Sequence, residues 1–210
     1  MFTGIVTAIG TIREARQLGD LRVVVACPFD PAHIAIGASI ACSGVCLTVV
    51  DRGGPNTNEG AGDAWFAVDV SGETVSCSVP GRWSEGQKLN LEPALKLGDE
   101  LGGHIVTGHV DGVGEVLGIC PEGDSRRIGI AVAHELAPYL AAKGSITVDG
   151  VSLTVNEVTD QSDGSCHFAL NIIPHTAEVT TLGALQVGDA VNLEIDVLAR
   201  YLLRMQSLRE

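Results

Sequence analysis

Basic side chains are scarce in this chain of 210 residues: 13 Lys and Arg stand against 26 Asp and Glu, a formal net charge of −13 at pH 7. Nucleic acid and anionic membrane surfaces both require a basic face that releases counterions or meets head groups. Both are therefore excluded as partners, and a small molecule is the expected ligand. No apolar run approaches the roughly 20 residues a membrane-spanning helix needs. CxxC spacing is missing among Cys27, Cys42, Cys46, Cys77, Cys120 and Cys166. Met1-Phe2-Thr3 leads straight into an expected strand without an export signal, so reduced thiols in a cytoplasm are the expectation. Two cofactor signatures are absent as well. No helix is expected after Gly108, Gly112 and Gly114, so they do not form a dinucleotide fingerprint. His104 and His109, five residues apart on an expected strand, do not share a face and have no HExxH or CxxC beside them, so no metal is expected.

What the chain has instead is an internal copy of itself. Gly37 to Val49 reads GASIACSGVCLTV, and Gly144 to Val155 reads GSITVDGVSLTV. At a constant offset of 106, Ser39 falls on Ser145, Ile40 on Ile146, Gly44 on Gly150, and Leu47-Thr48-Val49 on Leu153-Thr154-Val155. Upstream, Thr3-Gly4, Val6 and Gly10 match Thr107-Gly108, Val110 and Gly114 at an offset of 104. Downstream, Glu73-Thr74 matches His175-Thr176, and Gly86 and Asn90-Leu91-Glu92 match Gly188 and Asn192-Leu193-Glu194 at an offset of 102. A period of this length is a domain rather than a solenoid rung, and 45% hydrophobic residues suffice for two small cores.

Each central copy is an alternating strand, a turn at Ser43-Gly44 or Asp149-Gly150, and a β-branched strand, which is a hairpin signature. Phe2 to Ile12 is expected as the opening strand, paired across Gly19-Asp20 with Leu21 to Cys27. Pro28 to Ile36 and Ala133 to Lys143 are expected to hold one short helix before each central hairpin, with Gly144 as a stop. Asp51 to Ala64 is an expected exposed loop, Trp65 to Val70 resumes alternation, Lys88 to Leu95 closes the first half, and Lys96 to Glu100 is the linker. Val197 to Arg209 has no counterpart. It places Val197, Leu198, Tyr201, Leu202, Met205 and Leu208 on one helical stripe, capped by Asp196; the stripe needs a surface to bury it, either its own barrels or, as expected, an oligomer.

One position differs where chemistry would notice: Cys46 in the first copy stands opposite Ser152 in the second. The pattern alone leaves Cys46 either a small core residue or a functional thiol. Asn90 and Asn192 either bond a ligand or fix a turn, and Phe2 is either a stacking wall or a terminal staple. A histidine exchanges protons near neutral pH, which makes His109 an apt acid–base group.

The order MFTGIV, SIACSGVCLTV, GGHIVTGHVDG, GSITVDGVSLTV, IIPHTAEVTTLG and NLEID before a terminal helix resembles the riboflavin synthase family over essentially the whole chain. The resemblance implies an all-β fold: two tandem homologous six-stranded antiparallel Greek-key barrels, residues 1–97 and 98–196, plus a C-terminal α-helix at 197–210. It implies a cytoplasmic homotrimer with each active site between one subunit's first barrel and its neighbour's second, no cofactor, and lumazine synthase as an associated enzyme. The implied reaction is a dismutation of two 6,7-dimethyl-8-ribityllumazine molecules by four-carbon transfer, giving riboflavin and 5-amino-6-ribitylaminouracil. The implied alternative is a non-catalytic lumazine- or flavin-binding protein of the same fold.

Carried onto the matching positions, the resemblance implies catalytic roles for Ser39, Cys46, His109 and Asp196. Substrate-binding roles fall on Phe2, Thr3, Gly4, Ile5 and Val6 in the opening motif, and on Cys46, Leu47 and Thr48 in the first hairpin. Asp69, Glu73, Thr74 and Asn90 follow, then Gly108, His109 and Val110, then Lys143. The second hairpin adds Ser152, Leu153 and Thr154, and the segment after it Asn171, Ile173, His175 and Thr176. Cys46 as nucleophile, proton donor or hydrogen-bonding wall stays open, and His104 is assigned a structural part. The chain departs from the family pattern at Ser43, where asparagine is common, at His175, where glutamate is common, and at Ser76 to Gly81, which lacks a TTLG-like run.

Overall fold

The computed structural model describes residues 1–54 and 64–208; most of the expected loop before Trp65, and Arg209 of the terminal stripe, lie outside the described residues. The first half is a closed barrel of six antiparallel strands: β1 (Ala8–Leu18), β2 (Asp20–Cys27), β3 (Ser39–Cys42), β4 (Val45–Gly53), β5 (Ala64–Val70) and β6 (Lys88–Pro93). Their spatial order β1-β2-β5-β4-β3-β6 is a Greek key, and β6 closes the ring by pairing with both β1 and β3. Period-2 alternation builds the core, with Val23, Val25 and Cys27 of β2 meeting Phe66, Val68 and Val70 of β5 inside. Burying a side chain such as Phe66 stabilises the fold by about 1.5–3 kcal/mol. Arg22 and Asp69, opposite each other on the outer face, form an exposed pair.

The central turn is a two-residue loop, because Cys42 pairs with Val45 and both loop residues take positive φ, 45° at Ser43 and 84° at Gly44. That is the type I′ geometry that matches strand twist. The second half repeats it at Asp149 (φ 45°) and Gly150 (φ 81°), between β9 (Ser145–Val148) and β10 (Val151–Thr154). Its other strands are β7 (Gly112–Glu122), β8 (Ser125–Val132), β11 (Glu157–Asp160), β12 (Cys166–Ile172) and β13 (Ala190–Ile195). The order β10-β9-β13-β7-β8-β12-β11 repeats the first barrel with the counterpart of β4 divided in two. The sheet's two ends, β10 and β11, are joined in the chain through Val155 and Asn156, where β4 has only a bulge.

The two halves meet about a pseudo-two-fold axis through the central turns. A Cβ on Gly44 would lie 3.0 Å from the Gly150 nitrogen, and one on Gly150 would lie 2.7 Å from the Gly44 nitrogen. Asn90 donates to the Asp149 carbonyl (2.8 Å) and accepts from the Thr181 N–H (2.8 Å); Asn192 donates to the Ser43 carbonyl (2.9 Å) and accepts from the Val79 N–H (2.8 Å). Beside them Arg82 pairs with the buried Asp149 at 3.0 Å, and burial pushes the Asp149 carboxyl up against the opposing pull of Arg82 and the Asn192 N–H. A buried pair of this kind costs several kcal/mol to break one-sidedly.

Several elements differ from their expected form. β1 starts at Ala8, not Phe2, because Gly4 (φ 76°) turns the chain away and Phe2 bridges to Val106 in the other half. The expected helices before the central hairpins are single 3-10 turns, Pro31–His33 and Ala137–Tyr139, too short for an α-helical ring. Two α-helices went unread: α1 (Gly72–Cys77), capped by the Ser71 hydroxyl, and α2 (Pro174–Val179). At six residues neither shows a hydrophobic period. The terminal helix α3 runs Val197–Gln206 and packs lightly on the Ala137–Tyr139 turn.

Candidate active site

The segment that leaves the first half at Gly4 builds the second half's site, and the reverse exchange builds the first half's. The Ser152 N–H donates to the Gly4 carbonyl at 2.8 Å, and the Cys46 N–H donates to the Gly108 carbonyl at 2.8 Å. Val6 packs on the second barrel's core and Val110 on the first's. Both glycines are required. A Cβ on Gly4 would stand 2.5 Å from Ser152 Cβ, and one on Gly108 would stand 2.6 Å from Cys46 Cβ, both at positive φ. Each central hairpin is thus faced by a loop from the other half.

In the first site, Ser39 on β3 lies opposite Thr48 on β4, and Cys46 lies opposite Ala41. Cys46 is a half-buried free thiol against Phe2, Ala41 and Val106, while Leu47 points into the core. The crossing loop adds Gly108, the exposed His109 and Val110. Since Val49 pairs with Val68, the end of β5 reaches the Cys46 end of β4, which brings α1 with Glu73 and Thr74 to the same rim. Asp69 lies on the outer face of β5, bound to Arg22. Ser39 also borders a cavity of about 300 Å³ with Phe29, Ile34, Pro93 and Lys96.

The second site repeats this with Ser152 and the exposed Thr154 on β10, Leu153 half-buried against the core, and Gly4, the exposed Ile5 and Val6 crossing over. Ile173, His175 and Thr176 start α2 at the same rim, Asn171 precedes them on β12, and Lys143 sits exposed at positive φ (68°) with its N–H bonded to the Val155 carbonyl. Here the halves differ. His104, which has no first-half counterpart, places Nδ1 2.7 Å from the Ser152 hydroxyl and Nε2 3.2 Å from the Thr147 hydroxyl. Burial pushes its pKa below the usual histidine value despite the carboxylates of Asp196 and Glu194 nearby. The resemblance gives His104 a structural part; the glycines before it, Gly103 above all, whose Cβ would strike the Thr3 carbonyl, are the signal in the sequence for its contact with Ser152.

Three of the assigned residues are engaged within the protein itself. Phe2 is fully buried against Ala41 and Val106. Asn90 has both ends of its amide engaged across the seam. Thr3 is buried, and its N–H (2.6 Å) and hydroxyl (2.8 Å) both bond Glu92. Asp196 caps α3, accepting from the Leu198 N–H at 2.9 Å. Among the described residues no group of three or more His, Cys, Asp or Glu stands together as a metal site requires. A groove of about 970 Å³ beside Arg82 and Asp149 and a hollow of about 450 Å³ near Arg127 and His167 are lined by neither Cys46 nor Ser152.

Two matches to the family profile described as Lumazine binding domain cover residues 3–94 and 107–196, one per barrel. The chain is 46% identical over 208 residues to the riboflavin synthase of Brucella abortus, covering 98% of each chain. The chain belongs to the riboflavin synthase family. It is also 44% identical over 207 residues to the riboflavin synthase of Mycobacterium tuberculosis, again covering 98% of each. Among solved structures, LumP complexed with 6,7-dimethyl-8-(1'-D-ribityl) lumazine superposes with a TM-score of 0.74 at 25% identity, covering 93% of this chain and 99% of that one. LumP complexed with riboflavin gives a TM-score of 0.74 at 26% identity. The lumazine binding domain match begins at Thr3 and resumes at Thr107, the two residues that lead into the exchanged loops.

Proposed function

We propose that the protein is a riboflavin synthase, a transferase that converts two molecules of 6,7-dimethyl-8-ribityllumazine into riboflavin and 5-amino-6-ribitylaminouracil. The observation that carries this reading is a pair of equivalent yet unlike sites in one duplicated chain, Cys46 bonded to the loop that carries His109 in one and Ser152 bonded to His104 in the other. A reaction that joins two copies of one heterocycle needs two similar pockets, and one must donate carbon while the other accepts it. The two products together contain every atom of the two substrates, so no oxidant or co-substrate enters. Stripping a proton from a ring methyl calls for a group such as the exposed His109 imidazole, with Ser39, Cys46 and Asp196 completing the catalytic set.

In this reading residues 1–97 and 98–196 are the two lumazine-binding units and 197–210 the assembly segment of a cytoplasmic homotrimer, with lumazine synthase as an associated enzyme. Support for assembly comes from α3, whose Leu198, Tyr201, Leu202, Met205 and Leu208 are each more than half exposed. A catalytic pair of ligands is then brought together between subunits, one in the first site of one chain and one in the second site of its neighbour. The LumP complexes favour a second reading, a non-catalytic lumazine- or flavin-binding protein of the same fold. Incubating the purified protein with the lumazine alone decides between them. Riboflavin absorption without added metal, nicotinamide or flavin is expected; tight binding without product is the outcome of the second reading, and product only with an added cofactor overturns the first.

A further inference from the structure

Two buried carboxylates stand behind the exchanged loops, one for each site. Glu194 on β13 is 2% exposed and receives four hydrogen bonds, from the Thr107 N–H (2.7 Å) and hydroxyl (2.7 Å), the Gly108 N–H (2.9 Å) and the His109 N–H (3.1 Å). Glu92 on β6 is 6% exposed and receives three, from the Thr3 N–H (2.6 Å) and hydroxyl (2.8 Å) and the Gly4 N–H (2.9 Å). Each glutamate sits on the barrel from which its loop departs, while the loop's next carbonyl is fastened to the other barrel, at Cys46 or Ser152. A carboxylate gathering successive backbone N–H groups fixes the direction of a turn, because those donors converge only in one conformation. The residues immediately after the fixed turn, His109 and Val110 in one case and Ile5 and Val6 in the other, are those that face the opposite hairpin.

The geometry points to Glu194 and Glu92 as positioning residues for the reaction: Glu194 sets the Gly108–Val110 loop over the Cys46 site, and Glu92 sets the Gly4–Val6 loop over the Ser152 site. Neither touches the substrate. Each acts across the pseudo-two-fold axis, so a change in one barrel disables the site of the other. Burial pushes the Glu92 carboxyl up while its three donors pull it down, so removing a donor or the charge disturbs a balance specific to the loop. A glutamine in either place keeps the volume but turns an NH₂ group toward an N–H donor. This inference rests on the two-site reading above.

The test follows an analogue of 6,7-dimethyl-8-ribityllumazine whose 7-methyl is trifluoromethyl, which gives one fluorine signal per bound molecule and has no proton there to lose, bound to the full-length protein and observed by NMR. Wild-type protein should give two bound signals, and Thr48→Val and Thr154→Val assign them to the first and second sites. Glu194→Gln should weaken binding at the first site about tenfold or more and leave the second signal in place; Glu92→Gln should do the converse. Thr107→Val removes one of the four bonds to Glu194 and keeps the carboxylate, so it must weaken the same site selectively even if Glu194→Gln fails to fold. Glutamine variants that lower the melting temperature yet keep both signals at wild-type affinity, or a Thr107→Val variant that weakens both sites equally, would overturn the positioning role. Wild-type protein that binds no lumazine overturns the two-site reading itself, a different result from either.

Discussion

Replacing Gly108 with alanine should separate the exchanged loop from the site it completes. The new Cβ would stand 2.6 Å from Cys46 Cβ, 2.9 Å from its nitrogen and 3.0 Å from its Cα, so backbone rather than a flexible tip must give way. Alanine at φ 80° costs about 1–2 kcal/mol. Losing the Cys46 N–H to Gly108 carbonyl bond costs about 0.5–1.5 kcal/mol more, and relieving the overlap costs about 1–3 kcal/mol. The sum, about 2.5–6.5 kcal/mol, is smaller than or comparable to the stability of a typical domain. A melting temperature lowered by roughly 5–26 °C is expected, with the chain still folded at 25 °C. The loop moves more readily than β4 and carries His109 with it, and a displacement of about 1 Å is enough to lower turnover about a hundredfold. Gly118→Ala is the control, because its Cβ would meet nothing within 4 Å, so stability should stay within about 0.5 kcal/mol. Thermal melts and lumazine turnover on both variants decide the matter. A Gly108→Ala protein with wild-type melting and turnover would refute the reasoning.

Acid should act through His104. Burial lowers its pKa, so between pH 6.5 and that lowered value the unfolded chain binds a proton the folded chain refuses, and stability falls as pH drops through the window while remaining complete above 6.5. Denaturant midpoints against pH should show this slope in the wild type and not in His104→Asn; identical slopes would contradict it. A chain ending at Asp196 should sediment as a monomer with its barrels intact, because the apolar stripe of α3 is gone, and a truncated chain that stays an active trimer would place the helix on its own subunit. Residues 1–95 alone should fold and form a dimer, with Thr3–Gly4 of one copy meeting Cys46 of the other where Gly108 stands in the full chain. A folded but monomeric half, still binding lumazine, would argue against that exchange.

The barrels were legible because their signals are local. Two-residue turns at Ser43-Gly44 and Asp149-Gly150 require positive φ, and Val23, Val25 and Val68 alternate as a half-buried sheet demands. The Cys46 and Ser152 hairpins could be paired by offset for the same reason. The exchange was not legible, since MFTGIV alternates like an ordinary strand and nothing local tells Val6 which core it enters. Asn90 and Asn192 look alike on a seam and in a pocket, and only their partners 59 and 149 residues away decide between the two. Glu92 and Glu194 were visible as repeated residues, but a buried carboxylate has no sequence signature apart from the donors that converge on it. The helices α1 and α2 are shorter than two turns, too brief for a hydrophobic period.

The central claim is that two identical lumazines meet in unlike pockets and exchange a four-carbon unit without help. Product stoichiometry tests it most directly, by following lumazine, riboflavin and the ribitylaminouracil together in a reaction that contains only protein and substrate. The account predicts two lumazines lost for each riboflavin and each uracil formed. Riboflavin formed from a single lumazine with another carbon source, or lumazine bound at two sites with no product, would contradict it.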